Sequence, residues 1–266
     1  MNYPEPRPKW LMRSPIKRPG IYWLPNAITT CGLFAGFYAI VQAMNLRFEL
    51  AAIGIFAAMV FDGLDGRVAR LTRTQSAFGA EYDSLSDMVA FGAAPALVIY
   101  EWALKGMGKL GWFAAFVYCG CAALRLARFN TNLGTVDKRF FQGLPSPAAA
   151  GLIAGFVWAM EAYDIPRRDL PWLAWTLMVV AGFTMVSNIR FYSGKDVNLR
   201  KAVPFWVVVV IALTVLVIVQ IADNLPEVLF AIFLVYLASG YLMLAAQYLR
   251  RRDKEPPPPR KEPGPS

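Results

Sequence analysis

Long apolar runs dominate the chain, and short polar punctuation divides them. Runs of roughly 17 to 25 apolar residues are the length a helix needs to cross a bilayer. Eight such runs are centred near Phe34, Ala58, Ala93, Tyr118, Gly155, Val180, Val210 and Val235. The pattern predicts an all-α, polytopic integral membrane protein of about eight transmembrane helices. The plainest run is "FWVVVVIALTVLVIVQIA", which carries no charge before Asp223. Residues 1–20 lack the apolar stretch of a signal peptide but mix Trp10, Leu11, Met12 and Ile16 with basic residues, predicting an interfacial N-terminal segment. The end, "RRRDKEPPPPRKEPGPS", reads as a disordered, proline-rich tail over residues 251–266.

Composition agrees with this pattern. Of 266 residues, 57% are hydrophobic and 17% charged, against about half and about a quarter in soluble domains. The net charge of +9 is distributed as topology requires rather than as a nucleic-acid surface. With the N-terminus inside, the inner side collects Arg7, Lys9, Arg13, Lys17, Arg18, Arg67, Arg70, Arg73, Lys138, Arg139, Lys195, Arg200, Lys201 and the C-terminal cluster. The outer loops hold Arg47, Lys105, Lys109, Arg167 and Arg168. This asymmetry predicts both termini in the cytoplasm, the expected setting being a bacterial inner membrane. Cys31, Cys119 and Cys121 all lie within apolar runs, so neither a disulfide framework nor a zinc cluster is indicated. There is no histidine, which leaves acid–base work to carboxylates, lysine, tyrosine, cysteine or water.

One stretch breaks the apolar pattern: "FDGLDGRVARLTRTQSAFGAEYDSLSD", from Phe61 to Asp87. It spans the end of the second helix, a joint at "TRTQSAF" and the start of the third. So short a joint makes the two helices antiparallel neighbours. Folding about Thr74 brings Asp62 level with Asp87, and Asp65 level with Asp83. Asp62 and Asp65 are spaced i,i+3 and Asp83 and Asp87 i,i+4, so each pair projects from one side of its helix. A charged residue at a helix centre costs roughly 2.5–3.5 kcal/mol. The cluster is therefore expected about two turns below the inner surface, in a water-accessible cleft with a cation among the carboxylates. Oxygen donors alone favour a hard divalent ion over zinc, and a pair of such ions can neutralise a diphosphate during in-line displacement. Gly63, Gly66 and Gly79 predict close approach by a helix or ligand, Ala69 keeps the same face low, and Arg70 is a charge-assisted phosphate donor. A single intramembrane aspartate is often half of a helix-locking ion pair; four at these spacings point to a site.

The string Asp62-Gly63-Leu64-Asp65-Gly66-Arg67-Val68-Ala69-Arg70, followed by Gly79, Asp83 and Asp87, resembles the signature of the CDP-alcohol phosphatidyltransferases, with every fixed position filled. The resemblance implies that Asp62, Asp65, Asp83 and Asp87 ligate two divalent ions, Mg²⁺ or Mn²⁺, and that Asp87 also serves as the base. It implies CDP-lipid contacts at Gly66, Arg70 and Ser76. "PNAITT" adds Asn26 and Thr29, with helix capping as the competing role for Asn26. "YDSLSDMVAFGAAPA", "LRLARFN", "FQGLPSPAAAG" and "MVSNIRFYSGK" resemble the phosphatidylserine synthase branch. The implied reaction moves the phosphatidyl group of CDP-diacylglycerol to L-serine and releases CMP, as a phosphotransferase for substituted phosphate groups, and homodimers are common in the family.

Serine carries a carboxylate, so a cation is expected near the site. Arg125, Arg128 and Lys195 are candidates for that carboxylate or a lipid phosphate, against a competing role as interfacial residues that set topology. The likeness covers roughly residues 21–200, giving a six-helix core, two additional helices over residues 201–250, and the tail. Glycerol 3-phosphate, inositol or choline are the alternative acceptors. A cation transporter is the alternative of a different class, though the carboxylates sit on one side and no second copy of the motif exists.

Overall fold

The computed structural model describes residues 23–72, 74–131, 140–192 and 224–252. The interfacial segment, the helix expected around Val210, Lys195 and the tail from residue 253 lie outside the described residues.

Seven helical rods account for the described chain apart from one small ribbon. They are α1 (Trp23–Met44), α2 (Phe48–Leu71), α3 (Ala77–Met107), α4 (Lys109–Thr131), α5 (Ser146–Ala162), α6 (Pro171–Val186) and α7 (Leu225–Arg252). Each matches an expected run. Among the described residues, α1, α3, α4 and the Leu225–Ala246 part of α7 are long and apolar enough to cross a membrane, while α5 and α6 are shorter apolar helices. The length of α2 suffices too, at 24 residues, but its charges set it apart.

The all-helical expectation needs one addition. Phe140–Gln142 (β1) pairs antiparallel with Arg190–Tyr192 (β2), Phe141 opposite Phe191. Arg128, near the end of α4, fastens this ribbon. Its guanidinium donates to the carbonyls of Gln142 (2.7 Å), Val186 (3.0 Å) and Ser187 (3.1 Å) and to Asn188 Oδ1 (3.2 Å). Gly143, with φ of 79°, follows β1 where a Cβ would strike the Met185 carbonyl, so the turn admits no side chain.

Small residues set the packing of α1 against its neighbours. Ala35, Ala39 and Ala43 of α1 face Ala51, Ala52, Ile55 and Ala58 of α2, all buried. Gly54 brings the α2 backbone close to Ala35, and Gly36 does the same between α1 and Ala90 of α3. Inter-helix attraction in a bilayer rests on such close contact, because lipid and side chain are equally apolar.

The third helix is not uniform. It widens to π-helix at Met88–Ala93 and again at Tyr100–Leu104, then tightens to 3₁₀ at Lys105–Met107. The first widening has a local cause in Pro95, which has no N–H for the carbonyl four residues back, that of Phe91. That carbonyl instead accepts a hydrogen bond from the buried Tyr118 hydroxyl at 3.2 Å. At the end far from the aspartates, Glu161 accepts from Trp102 Nε1 (2.7 Å) and takes a two-pronged bond from Arg167 (2.8 Å each), whose guanidinium lies 4.4 Å from the Phe48 ring centroid. This knot joins α2, α3 and α5 and pins the hairpin opposite the site.

Candidate functional site

The joint between α2 and α3 runs from Thr72 to Ser76, and it closes as the spacing predicts. Thr72 N–H donates to the Val68 carbonyl (2.9 Å) and Thr74 N–H to that of Ala69 (3.0 Å), ending α2. Ser76 caps α3, its hydroxyl accepting from Gly79 N–H at 3.0 Å with an extended backbone. Beyond this turn both helices pack against α1, and their aspartates converge. Asp62 meets Asp87, and Asp65 interacts with Asp83. Carboxylate oxygens of Asp62, Asp83 and Asp87 all lie within 4.8 Å of one another. Together with Asp65 they line a small cleft whose inner wall is Gly32, Ala58, Ala90 and Phe91.

Each carboxylate is held by the helices around it. Asp65 is 5% exposed and accepts from the Thr29 hydroxyl of α1 at 2.7 Å, while Arg70 interacts with it electrostatically. The α3 side is fixed by three bonds that flank Asp83 and Asp87: Thr30 with Tyr82 (2.9 Å), Asn130 Nδ2 to Ser84 Oγ (2.9 Å) and Ser86 Oγ to the Thr29 carbonyl (3.2 Å). The π-widened turn begins directly after Asp87. Such bulges occur preferentially at functional sites because they re-aim side chains at little cost.

Arg125 of α4 faces Asp62 and Asp87 from a further helix. It interacts electrostatically with Asp87 and Asp62, donates to Ser146 Oγ at 2.7 Å, and stands 5.6 Å from the Phe129 ring centroid. Arg128 points elsewhere, its donors committed to the ribbon and the end of α6. Two basic residues three apart thus diverge.

The remaining predicted residues gather in two groups. Asn26, Ser76 and Gly79 come together: a Cβ on Gly79 would lie 3.1 Å from Ser76 Oγ and 3.4 Å from Asn26 Oδ1. Asn26 lies inside α1, its carbonyl accepting from Thr30, so the competing role of capping that helix does not apply to it. Gly66 and Arg70 form the second group, with Arg70 Nη1 3.4 Å from where a Gly66 Cβ would be. Ala69 lies on the same helix, between them in sequence. Of the two approaches expected at Gly63, by a helix or by a ligand, no helix among the described residues makes the first: a Cβ there would meet nothing of them within 4 Å. Its face is open, as is Gly66's except for Arg70, which is what a ligand-facing glycine requires. The reading of sequence missed Ser146 and Tyr118. Pro95, within "FGAAPA", was the available signal for the second.

A helical membrane protein that converges four carboxylates at one end of an antiparallel helix pair is a narrow class. The chain belongs to the CDP-alcohol phosphatidyltransferase family, whose family model matches residues 22–187. Among curated proteins it is 36% identical over 236 residues to the CDP-diacylglycerol–serine O-phosphatidyltransferase of Helicobacter pylori, covering 88% of this chain and 97% of that protein. It is 41% identical over 171 residues to the protein of the same name from Methanocaldococcus jannaschii, covering 64% and 74%. Against that of Saccharomyces cerevisiae the figures are 38% over 154 residues, covering 52% and 54%.

Proposed function

We propose that the protein transfers the phosphatidyl group of CDP-diacylglycerol to the hydroxyl of L-serine, giving phosphatidylserine and CMP. The observation that carries this reading is the meeting of Asp62, Asp83 and Asp87 within 4.8 Å with Arg125 facing them. The names of the relatives support serine as the acceptor.

The donor set fits hard divalent cations, being carboxylate oxygen throughout. Asp62, Asp65, Asp83 and Asp87 would hold two such ions, Mg²⁺ or Mn²⁺, and bound there the ions would neutralise the diphosphate and make its phosphorus more electrophilic. The chain's own groups do the rest. The open faces of Gly63 and Gly66 let the diphosphate approach the α2 backbone, and Arg70 offers it charge-assisted donors. Asn26, Ser76 and Gly79 receive the cytidine side at the mouth, with Ala69 keeping that surface low. Thr29 steadies Asp65. Asp87 takes the proton of the serine hydroxyl as its oxygen bonds to the lipid-side phosphorus; the bond from phosphorus to the CMP oxygen breaks, and CMP departs as the anion. Arg125 pairs with the serine carboxylate and so brings the hydroxyl to Asp87, an orientation effect. Arg128 serves the ribbon, and Lys195 is the remaining candidate for a lipid phosphate.

We assign residues 1–20 to the interfacial segment, 21–200 to the catalytic core, 201–250 to two further helices and 251–266 to the tail, into which α7 extends as far as Arg252. Site and termini face the cytoplasm of a bacterial inner membrane, by the charge asymmetry of the loops, and two copies associate as a homodimer.

The test is CMP release from CDP-diacylglycerol by the purified protein with Mg²⁺ or Mn²⁺, with and without L-serine. Inositol, glycerol 3-phosphate and choline run alongside, and Asp87→Asn is the blank. Release that needs serine and metal and disappears in the variant is expected. Release with a different alcohol only would overturn serine as the acceptor, and none with any alcohol would overturn the reaction class.

A further inference from the structure

Two hydrogen bonds from α4 hold α3, and Asp87 lies between them in sequence. Before it, Asn130 Nδ2 donates to Ser84 Oγ at 2.9 Å. After it, the Tyr118 hydroxyl donates to the Phe91 carbonyl at 3.2 Å. Beside the second bond the helices pack closely, for a Cβ on Gly92 would lie 3.3 Å from the Ala122 Cβ. Ser84 with Asn130 and Gly92 with Ala122 are the same number of residues apart on each helix, the register of an antiparallel pair.

Tyr118 is held as firmly as the carbonyl it serves. Its side chain and that of Phe91 are wholly buried, and a Cβ on Gly182 of α6 would lie 3.2 Å from the Tyr118 Cα, so α6 backs it closely. Ala90 and Phe91 belong to the π-widened turn and also line the cleft that holds Asp62 and Asp87. The turn is short of a donor because Pro95 has no N–H, and an unpaired carbonyl inside a membrane is costly. Filling the space would need only a phenyl ring. What the hydroxyl adds is a direction: the Phe91 carbonyl must point at α4. A change of pitch in this turn rotates Asp87 about the helix axis relative to Asp62.

We propose that Tyr118 is a positioning residue for the transfer reaction: from α4 it holds the widened turn of α3 in the pitch that sets Asp87 beside Asp62. This rests on the reading of the aspartates as metal ligands and base given above. Tyr118 touches neither substrate nor metal, and acts through the backbone of Phe91.

The test uses full-length protein in lipid, with Mn²⁺ as the metal. Tyr118→Phe keeps the ring and removes only the hydroxyl. Expected at saturating metal are a fall of about 10-fold in kcat for serine-dependent CMP release, with KM for L-serine and for CDP-diacylglycerol within about twofold of wild type. The Kd for Mn²⁺, read from the paramagnetic resonance signal of the free ion, should rise by about 10-fold. The control is Trp175→Phe, which takes an aromatic donor from an α4 carbonyl at the other end of that helix, the 3.2 Å bond to Leu110. It should leave kcat and the Mn²⁺ Kd within about twofold of wild type. Adding Pro95→Ala to Tyr118→Phe returns an N–H to the Phe91 carbonyl and serves also should the single variant be too unstable to assay. The melting temperature should then recover while kcat does not, because the restored bond narrows the turn. Recovery of both overturns the positioning role and leaves the hydroxyl as a partner for the carbonyl alone. A Tyr118→Phe enzyme with kcat and Mn²⁺ Kd within about twofold of wild type overturns it as well, with the reaction itself intact. Wild-type protein that releases no CMP with any acceptor overturns the reaction, and this role with it.

Discussion

Gly36 is where a single methyl group should separate folding from catalysis. A Cβ at this position would lie 2.7 Å from the Cα of Ala90 and 2.9 Å from its Cβ. Both atoms are fixed to the α3 backbone, so no rotamer change relieves the overlap, and reaching a 3.4 Å contact parts α1 from α3 by about 0.7 Å. Ala90 sits within the π-widened turn that begins after Asp87, so the displacement is passed to Asp87 and Ser86. For stability the effects oppose each other: alanine gains about 1 kcal/mol of helix propensity, and overpacking costs about 1–3 kcal/mol. The net loss for Gly36→Ala is thus at most about 2 kcal/mol. Activity should suffer far more, because a shift of about 1 Å at a reacting centre costs about 100-fold; a fall of roughly 10- to 100-fold in serine-dependent CMP release is expected. The control is Gly54→Ala, whose Cβ would lie 3.0 Å from the Ala35 carbonyl oxygen and 3.1 Å from the Ala39 Cβ, about two turns from Asp62. It should lower the apparent melting temperature similarly and reduce turnover by less than about threefold. Gly36→Ala with turnover within about threefold of wild type, under saturating substrates and metal, would refute the coupling of the π turn to Asp87.

Other substitutions probe the supports of the site. Thr29→Val removes the 2.7 Å bond to Asp65 and should raise the Mg²⁺ or Mn²⁺ concentration for half-maximal activity by about 10-fold or more; an unchanged metal titration contradicts that role. Asp87→Asn should lower CMP release by at least about 100-fold while the protein still binds CDP-diacylglycerol, measured by equilibrium binding of the labelled lipid to the protein in detergent. Arg128→Lys cannot reproduce the fork that serves Gln142, Val186 and Ser187. It should cost about 2 kcal/mol or more, seen as a lower melting temperature in detergent, with KM for serine nearly unchanged; a raised KM and unchanged melting temperature would make it an acceptor residue instead.

How much of this was legible in sequence depends on whether an interaction is local. The α2–α3 hairpin was, because a short joint and equal distances from Thr74 determine that Asp62 meets Asp87 and Asp65 meets Asp83 once both segments are helical. Arg125 and Arg128 were not separable. They are one helical turn apart with the same chemistry, and only the ribbon formed by Phe140–Gln142 and Arg190–Tyr192 draws Arg128 away. That ribbon joins segments some fifty residues apart, a pairing that no periodicity within either segment encodes. The widened turn in α3 lies between these cases. Pro95 announces that the Phe91 carbonyl needs a new donor, but the donor is Tyr118, on the next helix. Local chemistry states the deficit and tertiary packing supplies the remedy. The same division explains why the aspartates stand out from a single line of sequence, whereas the bonds of Thr29 to Asp65 and of Ser146 to Arg125 become visible only when separate helices are brought to one end of the bundle.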